Sequence, residues 1–142
     1  MKYRKLTLVL GTAVALGAVT WGGRTLAQQP GFKRVPLQTQ PIAAYAGHEA
    51  VQVRGEFDPG AGAPKHTHPG EELGYILEGT VTFEVDGKPP MTLKAGESFF
   101  IPAGTVHSAK NTGTGAAKVL STYIVEKGKP LATPVPAAPA KK

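Results

Sequence analysis

The 142-residue chain contains no cysteine. That excludes a disulfide framework, a thiolate-ligated zinc site, a thiol nucleophile and a lipidated N-terminal cysteine. Beyond residue 27 it also lacks any helix-period segment of useful length. The formal charge of +6 leaves no basic surface to follow a phosphate backbone. Lys2, Arg4, Lys5 and Arg24 lie near the N-terminus, and Lys127, Lys129, Lys141 and Lys142 near the other end. Between Lys33 and Glu126 eight basic residues face ten acidic ones, so the body is slightly acidic and nucleic acid is not an expected partner.

The first 27 residues have the order of a secretory signal. Lys2, Arg4 and Lys5 precede an uncharged run from Leu6 to Trp21, and Thr25-Leu26-Ala27 offers small residues at its first and third positions. The run has 16 residues and is interrupted by Gly11 and Gly17. A membrane-spanning helix needs roughly 20 apolar residues, so cleavage after Ala27 is expected over a permanent anchor. Arg4-Lys5 is not a twin-arginine pair, which points to the general secretion route and a periplasmic destination.

Eighteen glycines and thirteen prolines are spread along the chain as turn punctuation. Residues 28–49 read as a polar lead-in with an edge strand, 50–126 as the folded body, and 127–142 as an exposed Pro/Ala-rich tail. Within the body, apolar residues alternate at Val51-x-Val53, Leu73-x-Tyr75-x-Leu77 and Val81-x-Phe83-x-Val85. Further short strands are expected at Met91–Leu93, Ser98–Ile101, Val106–Lys110 and Ala117–Val125, with turns at Asp58-Pro59-Gly60, Glu78-Gly79, Asp86-Gly87 and Lys94 to Glu97. About eight short strands separated by such turns predict an all-β sandwich or barrel of the jelly-roll kind.

Against that background four residues stand out. His66 and His68 are two apart and share a strand face. Pro69-Gly70 turns the chain, and Glu72 is expected to begin an adjacent antiparallel strand and return its carboxylate to the same spot, with Glu71 on the opposite face. His107, after the Pro102-Ala103-Gly104 turn, is expected to face inward from across the barrel. Three neutral imidazoles and one carboxylate suit a divalent first-row metal, with zinc, copper, nickel, manganese and iron all compatible by ligand type. His48 reads as an ordinary surface histidine and Asn111 as the holder of a turn.

Gly60-x5-His66-x-His68-x3-Glu72-x6-Gly79 resembles the first motif of the cupin superfamily, and Gly96-x5-Pro102-x-Gly104-x2-His107-x3-Asn111 resembles the second. Sixteen residues, Thr80 to Ala95, separate them, as in small microbial cupins. The resemblance implies a double-stranded β-helix with His66, His68, Glu72 and His107 as metal ligands, and often a homodimer. It does not choose a reaction. A metal-dependent, dioxygenase-like enzyme acting on a small molecule is the leading expectation. The alternatives are a cupin that binds a metal or small ligand without turnover, and a metal-dependent isomerase or lyase with Tyr75, Tyr123 or Glu84 as base. Mass spectrometry of the exported protein should find Gln28 at its N-terminus; an intact Met1 on a membrane-bound form would identify the segment as an anchor.

Overall fold

A computed structural model of the chain describes residues 29–136 and the backbone of a short strand pair, β1 (Thr20–Trp21) and β2 (Arg24–Thr25). The expected cleavage point at Ala27 lies outside the described residues. The strands that follow are β3 (Phe32–Pro41), β4 (His48–Phe57), β5 (Gly62–Thr67), β6 (Glu71–Glu78), β7 (Thr80–Val85) and β8 (Met91–Lys94). They continue with β9 (Ser98–Ile101), β10 (His107–Asn111), β11 (Ala117–Glu126) and β12 (Thr133–Pro134). There is no helix among the described residues. Two five-stranded antiparallel sheets form, in the orders β12-β5-β10-β7-β8 and β3-β4-β11-β6-β9. After β4 the chain passes repeatedly from one sheet to the other, which makes the fold a double-stranded β-helix.

Period-two burial drives this arrangement, because side chains on alternate positions must all find the same interior. Along β11, Ala117, Val119, Ser121, Tyr123 and Val125 are buried in turn. Val81, Phe83 and Val85 do the same on β7. On β6 the buried positions are Glu72, Gly74 and Ile76, while Leu73, Tyr75 and Leu77 face outward. Gly74 is required there: a Cβ at this position would overlap the Phe99 ring, which occupies the space above it.

Three expectations about placement are corrected. First, β5 and β6 are not neighbours in one sheet. β5 pairs with β10 and β12, and β6 pairs with β11 and β9. The chain crosses between sheets through His68-Pro69-Gly70, and a Cβ on Gly70 would run into the Ile124 carbonyl oxygen. Second, His107 is not across the barrel from His66. The two are direct cross-strand partners on β10 and β5. Third, the segment after Lys127 does not stay exposed throughout. Leu131 is half-buried, Ala132 is buried, and Thr133 and Pro134 pair with Thr67 and His66. The edge of β5 offers unpaired backbone groups, and this short strand covers them.

Asn111 ties one end of the barrel together. Its side chain is fully buried, and Nδ2 donates toward the carbonyls of Phe57 (3.2 Å), Asp58 (3.2 Å) and Gly115 (2.8 Å). Its Oδ1 accepts the Gly113 N–H at 2.9 Å. One amide therefore joins the end of β4, the loop after it and the turn leading to β11. Each buried group left unsatisfied by its removal would cost about 1–3 kcal/mol.

Candidate metal centre

His66 and His107 meet because they are cross-strand partners, and the local register directs them. Between His107 and Ala109 on β10 there is one intervening residue, whereas β5 places two between their partners His66 and Ala63. The extra residue makes a bulge that contains Pro64, which has no N–H to contribute to the ladder. His68 follows the end of β5, where its backbone carbonyl accepts the Gly104 N–H at 2.9 Å. Glu72 comes from the other sheet, directly opposite Tyr123 on β11. All four side chains are buried.

The three imidazoles share one hydrogen-bonding scheme. Nδ1 of His66 lies 2.7 Å from the Pro64 carbonyl oxygen, Nδ1 of His68 lies 2.6 Å from that of Leu131, and Nδ1 of His107 lies 3.0 Å from that of Thr105. A carbonyl oxygen only accepts, so each Nδ1 carries the proton and each neutral ring presents its Nε2 lone pair. One ligand atom from each ring lies within 4.8 Å of the others.

Glu72 completes the cluster. Its Oε2 is 3.2 Å from Nε2 of His68 and 3.3 Å from Nε2 of His107. Its Oε1 accepts the Tyr123 hydroxyl at 2.9 Å, and Ser121 also hydrogen-bonds the carboxylate. With the imidazoles neutral, lone pairs face lone pairs across a buried space, and Nε2 of His68 has no hydrogen-bond partner. A cation between these atoms relieves that repulsion, and the donor set fits a divalent transition metal. The three buried histidines could therefore bind a metal ion.

The electrostatics follow from burial. Burial pushes the His66 pKa down to about 3, and the neighbouring His68 and His107 push in the same direction. Burial alone would raise the pKa of Glu72. Hydrogen bonds from His107 and His68, together with that from Ser121, outweigh it and hold the carboxyl well below its usual range. In the absence of a cation the two histidine bonds require a proton on Nε2 as well as on Nδ1. Tyr123 is raised by burial and by the adjacent Glu72 charge, so its hydroxyl stays protonated and donates.

A cavity with about 40 Å³ of room for water-sized molecules opens beside the histidines. His66, Glu72, His107, Ser121 and Tyr123 line it on one side, and Phe32, Phe57, Phe83 and Phe99 are among its apolar walls. Arg34 also lines it, a residue that the sequence analysis passed over within a polar lead-in. The available signal was the spacing Phe32-x-Arg34, which puts both on one face of β3. Of the three candidate bases only Tyr123 reaches the cavity; Tyr75 and Glu84 are exposed. Glu71 is exposed too, and His48 stacks on Tyr45 with ring centroids 3.5 Å apart.

The double-stranded β-helix with histidines gathered in its interior defines a class, and the comparison with known families agrees. The cupin domain family matches residues 53–123, half of the chain, and the chain belongs to that family. The chain is 41% identical over 73 residues to germin-like protein subfamily 2 member 2 of Arabidopsis thaliana, covering 48% of this chain and 33% of the relative. It is 32% identical over 75 residues to the dimethylsulfoniopropionate lyase DddQ of Ruegeria pomeroyi, covering 53% of this chain and 33% of that protein. The chain thus matches about a third of the length of these curated relatives. A Klebsiella pneumoniae protein with a double-stranded β-helix domain superposes with a TM-score of 0.60 at 20% identity, covering 77% of this chain and 90% of that one. At that identity the likeness is one of fold.

The buried histidine sets how the metal-free protein responds to acid. Its folded pKa of about 3 lies below the ordinary 6.5, so only the unfolded state takes up this proton between those values. Its stabilising effect is complete above pH 6.5 and is lost progressively toward pH 3. Glu72 acts in the same direction at lower pH: its contribution is present above 4.5 and is lost as the pH falls through its depressed folded value. Urea unfolding of metal-free protein should therefore give a stability that falls by a few kcal/mol between pH 7 and pH 4. A His66→Ala variant should show a shallower decline above pH 4.5.

Proposed function

We propose that the protein is an exported, periplasmic, metal-dependent enzyme acting on a small molecule, with one divalent transition metal held by His66, His68, Glu72 and His107. The observation that carries this reading is the convergence of three Nε2 lone pairs, each fixed by an Nδ1–H···O=C bond, beside a carboxylate and an apolar cavity. When bound, such a metal would supply Lewis acidity and, if redox-active, electrons for dioxygen chemistry. The chain's own residues hold and orient. Tyr123 and Ser121 fix the Glu72 carboxylate, and the phenylalanines give the cavity its apolar walls.

A dioxygenase-like reaction is the first reading, because four protein ligands leave two positions of an octahedral metal for other molecules. A lyase reaction is the second, favoured by the likeness to DddQ, whose name describes a lyase. Elemental analysis of protein from its native compartment should find about one zinc, copper, nickel, manganese or iron per chain. An oxygen electrode with a panel of small organic acids then separates the two readings. Glu72→Ala should weaken metal binding by about 10–100-fold while Glu71→Ala leaves it unchanged. Metal loss in Glu71→Ala with full retention in Glu72→Ala would overturn the ligand set.

We also propose a homodimer formed through the outer face of β6 and β9. Leu73, Tyr75, Leu77 and Phe100 are each about half exposed there, on two adjacent strands of which β9 forms the sheet edge. With Leu120, Ser98 and Thr122, this face forms an uncharged outer groove separate from the histidine cavity. Clustered large apolar side chains of this kind are unusual on a monomer. A second copy of the same face is self-complementary about a two-fold axis and would cover both patch and edge. Light scattering at micromolar concentration should report a dimer, and Tyr75→Glu should shift it to monomer without loss of metal. A monomeric wild-type protein would remove the claim.

A further inference from the structure

We infer that Arg34 makes the cavity a site for a small carboxylate, so that the substrate is a small organic acid whose carboxylate lies on Arg34 and whose remainder points toward the histidines. This rests on the reading of the site as a metal centre and specifies its substrate class. Arg34 lies on β3 two residues from Phe32, with its guanidinium carbon 4.6 Å from the centre of the Phe32 ring. Phe32 in turn stacks on Phe57, with ring centroids 4.5 Å apart. The cross-strand partner of Arg34 is Gly55, whose missing side chain leaves room for the Phe57 ring and for the Phe32 ring on which the guanidinium rests. Both residues line the same cavity as His66, Glu72 and His107.

Arg34 has no partner charge. Among the described residues no carboxylate lies within salt-bridge distance of it, whereas the other arginine of the barrel, Arg54, is paired with Glu56 at 2.6 Å. Burial lowers the Arg34 pKa, and Glu72 and Tyr123 act against that shift, which places its charge within reach of the site. Even so, guanidinium remains protonated at any physiological pH. A half-buried, stacked and unpaired guanidinium against an apolar wall needs an anion, and its planar fork matches a carboxylate with two parallel hydrogen bonds. Charge counting gives the same answer: Arg34 and a divalent metal carry three positive charges against the single charge of Glu72. The phenylalanine walls provide no rival anchor for a polar substrate. The cavity's free space of about 40 Å³ confines the ligand to a few non-hydrogen atoms unless β3 moves.

Calorimetric titration of full-length, zinc-loaded protein with acetate and glycolate, and with the neutral acetamide and glycolamide, tests the assignment. Wild type should bind the acids at least about tenfold more tightly than the amides. Arg34→Gln should lose that preference and Arg34→Lys should keep part of it, with zinc content by elemental analysis equal in all three. Acids and amides bound alike by wild type, or acids bound equally by Arg34→Gln, would overturn the inference. The same titrations on metal-free protein separate the two readings. If the chain takes up none of zinc, copper, nickel, manganese and iron, the metal assignment fails, while an Arg34-dependent preference for the acids in that protein still supports the carboxylate site.

Discussion

The site depends on one repeated interaction, the hydrogen bond from an imidazole Nδ1–H to a backbone carbonyl. It fixes the tautomer of His66, His68 and His107 and leaves each neutral ring with Nε2 as a bare acceptor, in a cluster where one ligand atom of each ring lies within 4.8 Å of the others. Two of the three carbonyls, those of Pro64 and Thr105, lie two residues before the histidine they hold, so those rings are anchored locally, one within β5 and one by the loop that leads into β10. The repulsion this scheme creates around Glu72 is what suits the cluster to a cation. A set of histidines free to exchange tautomers could satisfy one another and would have no such requirement.

The crossover architecture serves the same end. Because the chain leaves one sheet at His68 and enters the other at Glu71, two nearby stretches of sequence reach the interior from opposite sheets. The carboxylate then sits beside Tyr123 and Ser121 on β11, where hydrogen bonds keep it ionised despite burial. Gly70 and Gly74 provide the space for this path, one beneath the Ile124 carbonyl and the other beneath the Phe99 ring. The apolar core continues on both sides of the site, with Phe57, Phe83 and Val119 in one cluster and Val53 and Tyr123 in another.

Much of this was legible in the chain because spacing carries it. The interval from His66 through Glu72 and the later His107 marks the interior positions, and alternation marks strands β4, β6, β7 and β11. Alternation does not say which sheet a strand joins, which is why β5 and β6 were expected side by side. Nor does an apolar row identify the core: Leu73, Tyr75 and Leu77 form the clearest such row, yet they face outward. On β6 the apolar row faces outward, and the interior face carries the polar Glu72 beside Gly74 and Ile76. Arg34 and Leu131 were missed for a related reason. Each sits in a stretch whose composition reads as exposed, and only long-range pairing with β4 or β5 brings it inward.

The bond between His68 and the Leu131 carbonyl spans 63 positions of the chain. His66 and His107 take their carbonyls from two residues earlier in the chain, but His68 takes its carbonyl from a segment that follows β11. The cluster is therefore complete only when residue 131 has emerged and docked against β5. Residue 131 thus straps the third ring: a chain cut before it would keep the bonds that hold His66 and His107 and lose the one that holds His68.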